Sequence, residues 1–160
     1  VFVIDTTKAP LASFDASFEF LASARAPRKT LVLGNIADYA GKGKTQYRRG
    51  ARAALDVGAR VIGIGANAST IRHLQDVYPK GSISTFTSSR AARDYLAQDT
   101  LQDELILLKS AASGHIERVA LSWFSGDERC WIENCGRKYC ASCPYLSDPV
   151  PVPPSDLRRV

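Results

Sequence analysis

The segment that decides the fold is Leu105-Ile106-Leu107-Leu108, which ends in Lys109 and a string of small polar residues. A short run that is apolar at every position is typical of a β-strand buried on both faces. Similar β-type runs recur earlier in the chain, which predicts five strands in all. The four others lie at residues 1–4, 30–33, 61–64 and 83–86.

Segments of helical period separate these strands. Their apolar residues recur every three or four positions, which predicts one buried face on each helix. Gly58 is placed to end one helix, and Ser88 or Ser89 to begin another. Strand and helix alternate throughout residues 1–124, so we predict an α/β domain with a Rossmann-like, mostly parallel sheet flanked by helices. The predicted helices lie at residues 11–22, 45–57, 69–77, 89–97 and 113–124.

Composition narrows the class of protein. The chain has 160 residues, of which 45% are hydrophobic and 23% charged, and these values exclude a disordered or coiled-coil protein. No apolar run approaches the roughly 20 residues that span a bilayer, so we expect no membrane partner. The chain contains no Met. We therefore expect it to be the C-terminal part of a longer, cytoplasmic protein.

Polar residues follow each predicted strand, at the edge where open α/β sheets bind ligands. Asp5 suits the hydroxyls of a ribose or the amine of an adenine, unless it is only a charge near a helix N-terminus. Lys8 suits phosphate oxygens, unless it is only a solvated lysine. Ser113 and Gly114 open a predicted helix whose N–H groups can bind a carboxylate, or they only cap it. Lys109 follows a buried strand, so we expect a partner for its charge.

Gly41-Lys42-Gly43-Lys44-Thr45 looks like the end of a phosphate-binding P-loop. That motif needs a glycine five residues before its Gly-Lys pair. Position 38 is Asp, and the predicted strand ends well before it. We therefore predict a basic loop that leads into a helix; the alternative is a loop that still cradles a phosphate with the free N–H groups of the helix start.

The residues after the strands resemble the C-terminal domain of the Mur ligases, and MurF is the closest type. The resemblance covers residues 1–124. Asn35 and Asp38 stand where that pattern usually has Asp and Glu. Four segments carry the resemblance: VIDTTKAP at 3–10, TLVLGNIADYA at 30–40, YRRG at 47–50, and LLKSAASGHIERV at 107–119.

This resemblance implies an ATP-dependent ligase that activates a carboxylate as an acyl phosphate and joins it to an amine. The implied partners are a UDP-muramoyl peptide or related carboxylate, an amino acid or dipeptide, and an upstream ATPase domain that holds most of the ATP and Mg²⁺. We expect this chain alone to be inactive. Lys8 would be catalytic, and Asp5 and Lys8 would contact the nucleotide. The substrate-binding residues would be Asn35, Asp38, Lys109, Ser113 and Gly114.

All four cysteines lie in a segment without apolar periodicity, at 125–148, which precedes a proline-rich tail at 149–160. Their spacing is C-x4-C-x4-C-x2-C, and four thiolates so arranged can hold a structural Zn²⁺. Two disulfides, free thiols or an iron–sulfur cluster are the alternatives. The predicted zinc ligands are Cys130, Cys135, Cys140 and Cys143.

The alternative function is a non-catalytic module that docks a protein or nucleic acid through this zinc knuckle. Trp131 and Tyr139 can stack on bases, and the nearby cations can neutralise phosphates. The residues after the strands are not explained by that function, so we favour the ligase and expect no nucleic-acid partner. The nearby cations are Arg129, Arg137 and Lys138.

Overall fold

A computed structural model describes residues 1–125, 130–132 and 135–147. Within these ranges, five strands form a single sheet in the order β1-β5-β2-β3-β4, and every neighbouring pair is parallel. The Rossmann-like α/β fold predicted from the sequence is therefore confirmed. The strands are β1 (Phe2–Asp5), β2 (Lys29–Leu33), β3 (Arg60–Ile64), β4 (Ile83–Phe86) and β5 (Leu105–Lys109).

Helices cover both faces of the sheet. One face packs against α1, α2 and a 3-10 segment, and the other against α3 and α4. The α-helices are α1 (Phe14–Ser23), α2 (Gly43–Asp56), α3 (Ser89–Asp99), α4 (Arg118–Ser125) and the short α5 (Pro144–Ser147); 3-10 segments lie at Leu11–Ser13, Ala68–Asp76 and Ala112–Gly114. No helix in the described ranges is long and apolar enough to cross a bilayer.

Strand residues alternate between the two apolar cores, as the period of a β-strand requires. Leu31 and Leu33 of β2 belong to the core beneath α1 and α2. Val32, between them, belongs to the core beneath α3 and α4. All three side chains are fully buried, which explains why residues 31–33 of β2 are apolar at every position.

The two predicted helix boundaries at Gly58 and Ser88 are confirmed. Gly58 has φ +78°, a left-handed conformation that ends α2. The Oγ of Ser88 accepts a hydrogen bond from the N–H of Ala91 at 3.2 Å and so caps α3.

Two predicted helices differ from the structure. Residues Ala68–Asp76 form a 3-10 segment, where Thr70 Oγ1 donates to the carbonyl of Asn67 at 2.7 Å. Such local side-chain bonds compete with α-helical pairing. The last helix begins at Arg118 rather than at Ser113, because His115 has φ 47° and ψ 29° and interrupts it.

A buried ion cluster fixes the amino edge of the sheet. Glu104 is fully buried. Its carboxylate forms ion pairs with Arg28 Nη2 at 2.8 Å and with Arg60 Nη2 at 3.0 Å. Its carboxylate also accepts from Thr30 Oγ1 and from the N–H of Leu101. Burial raises the pKa of Glu104, but these hydrogen bonds and the charge of Arg60 outweigh burial and hold the pKa below its ordinary value.

The carboxyl ends of the strands are level with one another. The register pairs Asp5 with Lys109, Lys109 with Leu33, and Leu33 with Gly63. The chain leaves β2 toward α2 on one face, whereas it leaves the neighbouring β5 toward α4 on the other. Such a divergence opens a crevice at the carboxyl edge, which is where ligands bind in this class of sheet.

Candidate functional site

Lys109 has the partner that its position requires. Its side chain is 1% exposed, and its Nζ lies 2.5 Å from Asp5 Oδ2. Nζ also donates to Ser13 Oγ at 2.8 Å and lies over the ring of Phe14. The Asp5 side chain is 42% exposed, so the pair presents a carboxylate, and not an ammonium group, to the crevice.

The crevice floor is formed by backbone segments in close contact. The N–H of Asn35 donates to Ser110 Oγ at 3.0 Å, and the N–H of Ala111 donates to the carbonyl of Asn35 at 2.7 Å. A Cβ on Gly34 or on Gly114 would lie 2.5 or 2.3 Å from Ser110 Oγ. A side chain at either position would therefore displace Ser110, and the small glycines let the loops after β2 and β5 approach each other.

Ser113 and Gly114 lie in a 3-10 turn and not at the start of an α-helix. The N–H of Gly114 donates to the carbonyl of Ala111 at 2.9 Å, so this amide is already paired. The predicted row of free helix N–H groups is therefore absent here. The Ser113 side chain is exposed.

Lys8 and Asp38 lie on adjacent segments after β1 and β2, since the N–H of Ala37 donates to the carbonyl of Ala9 at 2.9 Å. Both side chains are exposed, and within the described ranges Lys8 has no ion-pair partner. Asp38 has φ 48° and borders a cavity of about 430 Å³ between α1 and α2. The other residues around that cavity include Phe14, Phe18, Tyr39 and Arg49.

The glycine–lysine loop lies before α2, with Lys42 as the residue that precedes the helix. Strand β2 ends at Leu33, five residues before the position where a P-loop needs its first glycine. This geometry agrees with the predicted basic loop.

A second cluster lies beyond β5, where the cysteine segment contacts the start of α4. The position of His115 just after Ser113 and Gly114 favours a surface histidine at a helix start over a catalytic one, but the residue is buried at 3% exposure. Its Nδ1 lies 3.4 Å from Cys140 Sγ, and its Nε2 lies 3.8 Å from Cys135 Sγ. Both ring nitrogens therefore contact thiols.

Two neighbours of His115 hold the cysteine segment in place. Glu117 Oε1 accepts the N–H of Cys140 at 3.1 Å. Arg118, which is buried, donates from Nη1 to the carbonyls of Cys130 and Ile132 at 3.3 and 2.9 Å. Its guanidinium also lies over the ring of Trp131 at 5.8 Å.

The electrostatics of this cluster suppress charge on the two groups at its centre. Burial and the charge of Arg118 lower the pKa of His115, with Glu117 acting in the opposite direction. Burial and the charge of Glu117 raise the pKa of the Cys140 thiol well above its ordinary value. A neutral imidazole with a free lone pair is a metal ligand, and a bound cation converts a neighbouring thiol to thiolate.

The predicted four-cysteine arrangement differs from what the structure brings together. All four cysteines are free thiols. In the described ranges, the potential ligand atoms that converge within 4.8 Å of one another belong to His115, Glu117 and Cys140. The four sulfurs do not form such a group by themselves.

Glu117 and Arg118 are the residues of this cluster that the sequence analysis missed, and the burial of His115 is not expected from the sequence. Their contacts are with residues 12–25 positions further along the chain. The one available signal was the rarity of histidine, since the chain has only two.

No protein-family profile and no curated protein sequence matches this chain. Two crystal structures of MurF from Acinetobacter baumannii match it with TM-scores of 0.66 and 0.63 at 17% and 16% identity. MurF from Thermotoga maritima in complex with ADP matches with a TM-score of 0.60 at 22% identity. Each match covers 78% of this chain but only 27–28% of the MurF chain. The chain thus has the fold of the C-terminal domain of the MurF type of Mur ligase, as the sequence resemblance predicted.

Proposed function

We propose that this chain is the C-terminal domain of an ATP-dependent ligase of the Mur family, which joins a UDP-muramoyl peptide or related carboxylate to an amino acid or dipeptide. The observation that carries the proposal is the MurF-type fold, with polar residues at the crevice where such a sheet binds ligands. An upstream domain would hold most of the ATP and the Mg²⁺.

The chemistry consists of two transfers. The substrate carboxylate takes the γ-phosphoryl group of ATP and ADP leaves; the amine nitrogen then attacks the acyl carbon, and phosphate leaves as the amine loses a proton. Negative charge on the transferring phosphate needs cationic groups around it. Lys8, exposed and without an ion-pair partner in the described ranges, supplies such a charge. Mg²⁺ supplies further neutralisation when bound.

Asp5 would contact the nucleotide through its free carboxylate oxygen, which can accept from a ribose hydroxyl or an adenine amine. Lys109 would hold Asp5 in place, because its own ammonium group is buried behind that carboxylate. We therefore assign Lys109 the role of positioning Asp5, and not of contacting the substrate directly.

The incoming amine substrate would lie against the loops that follow β2 and β5. Asn35, Asp38 and Ser113 have exposed side chains there, and a carboxylate such as that of Asp38 can orient an ammonium group. Gly114 contributes by letting the two loops approach.

The test is phosphate release by the longer protein that we expect to contain this chain. We expect release to require ATP, Mg²⁺, a UDP-muramoyl peptide and an amine together, and the isolated chain to release none. Substrate-dependent release by the isolated chain, or none from the longer protein over a panel of amino acids and dipeptides, would contradict the proposal.

Failure of that assay would favour the alternative, a binding module for protein or nucleic acid. One contact weighs against its nucleic-acid form, since Arg118 already lies over the ring of Trp131. A base would have to displace that guanidinium to stack on the same face.

A further inference from the structure

The cluster of His115, Glu117 and Cys140 has the dimensions of a metal site. All three residues are at most 6% exposed, and their ligand atoms lie within 4.8 Å of one another. Bond lengths of about 2.1 Å to nitrogen and 2.3 Å to sulfur place two tetrahedral zinc ligands about 3.6 Å apart. The observed distance from His115 Nδ1 to Cys140 Sγ is 3.4 Å.

An unpartnered buried oxygen points to a missing cation. Glu117 Oε1 accepts a hydrogen bond from Cys140, but Glu117 Oε2 is buried and has no donor in the described ranges. Buried carboxylate oxygens without a partner are costly and call for an explanation. A divalent cation beside His115 and Cys140 would satisfy this oxygen.

From this geometry we propose that the chain binds one Zn²⁺ through His115, Glu117 and Cys140, with Cys135 as the fourth ligand. Cys135 Sγ lies 3.8 Å from Nε2, the other ring nitrogen of His115, and outside the group of three converging ligand atoms, so its thiolate has to turn toward Nδ1 to complete the set. A set of one nitrogen, one oxygen and two sulfurs lies within the range that zinc accepts. The site joins the loop after β5 to the cysteine segment, and is not a self-contained knuckle of four cysteines.

The charge balance supports this ligand set. Two thiolates and one carboxylate around Zn²⁺ leave a net charge of −1. The buried guanidinium of Arg118 lies beside the site, since its Nε donates to the carbonyl of His115 at 3.0 Å. Its Nη2 has no partner in the described ranges, so Arg118 is available to neutralise that charge.

The first experiment measures zinc by mass spectrometry in the whole chain, purified under reducing conditions without chelators. We expect about one zinc per chain. His115→Ala should lose most of it, whereas His73→Ala, which alters the other and exposed histidine, should keep it. A full equivalent retained by His115→Ala would overturn the proposal, as would wild-type protein that holds no zinc.

A second measurement does not depend on the folding of the His115 variant. Co²⁺ bound to the wild-type chain should show tetrahedral ligand-field bands and thiolate charge-transfer absorption of two sulfurs. Cys130→Ser and Cys143→Ser should leave that absorption unchanged, and Cys135→Ser and Cys140→Ser should each lower it. If the absorption is typical of four thiolates and all four variants reduce it equally, the metal is bound by the four cysteines. That result would overturn the proposed site of His115, Glu117, Cys140 and Cys135.

Discussion

Lys109 and Asp5 face each other across neighbouring strands, 2.5 Å apart, with the ammonium group buried and the carboxylate partly exposed. Removal of Asp5 should therefore cost more stability than removal of Lys109. Water can hydrate the carboxylate when its partner is removed, but it cannot reach the ammonium group. This asymmetry is measurable as a difference in stability.

Asp5→Asn should lower the free energy of unfolding by about 3–5 kcal/mol, because it leaves a buried charge without its counter-ion. Lys109→Met should cost less, and the double variant should recover part of the loss from Asp5→Asn. Urea unfolding of the four proteins as a double-mutant cycle measures the coupling. Equal losses in the two single variants would contradict the asymmetry.

Glu104→Gln should also lower the free energy of unfolding by about 3–5 kcal/mol at neutral pH, because Arg28 and Arg60 lose their shared carboxylate. Asp103→Asn, at the exposed neighbouring position, should change it little. Urea titrations at pH 7 compare the three proteins. A loss as small as that of the control would show that Asp99, which also pairs with both arginines, compensates for the lost carboxylate.

The same carboxylate predicts sensitivity to acid. The pKa of Glu104 is lower in the folded chain than its ordinary value of about 4.3. Its contribution is therefore complete above that value and is lost as the pH falls from there through the folded-state pKa. Unfolding free energies between pH 6 and pH 3, roughly the range that brackets an ordinary Glu, should fall less steeply for Glu104→Gln than for the wild type.

Tyr47→Phe should cost about 1–3 kcal/mol of stability, because buried backbone groups lose their partner. The Tyr47 hydroxyl donates to the carbonyl of Leu33 at 2.5 Å and accepts from the N–H of Ile64 at 3.2 Å, so it joins the ends of β2 and β3. Tyr139→Phe removes an exposed hydroxyl and serves as the control in thermal unfolding. Equal melting temperatures for the two variants would contradict this role.

Lys8→Ala in the longer enzyme should reduce turnover by about 30- to 1,000-fold, which corresponds to roughly 2–4 kcal/mol of transition-state stabilisation. The urea midpoint should not change, since Lys8 is exposed and has no ion-pair partner in the described ranges. Lys80→Ala, which alters an exposed lysine in the turn before β4, is the matched control. Unchanged phosphate release in Lys8→Ala would remove the catalytic assignment.

The strands could be predicted from the sequence, because a strand that is buried on both faces is a short run of apolar residues. The run at 105–108 is apolar throughout and forms strand β5, between β1 and β2, extended by Lys109. Helix type was less predictable. Residues 69–77 have helical period, yet Thr70 bonds to the carbonyl of Asn67 and the segment is a 3-10 helix.

The site was predictable only where a local rule applied. A lysine after a buried strand required a partner, but periodicity could not identify it as Asp5, which is 104 residues away. Ser113 and Gly114 resemble a helix cap, which favours an exposed position for His115 at a helix start. Its left-handed backbone and its burial against Cys140 depend on a segment 20–25 residues further along the chain, which no local pattern reports.

The position of β5 between β1 and β2 also sets the order in which the sheet can assemble on the ribosome. Strands β2, β3 and β4 pair with neighbours in chain order, but within the described part of the chain β1 pairs with β5 alone. About 100 residues separate the two strands, and at roughly 5–20 residues per second their synthesis takes about 5–20 s. During that interval Phe2, Val3 and Ile4 have no strand to join. A nascent chain released before residue 105 would expose this apolar segment, so we expect such fragments to be substrates for chaperones.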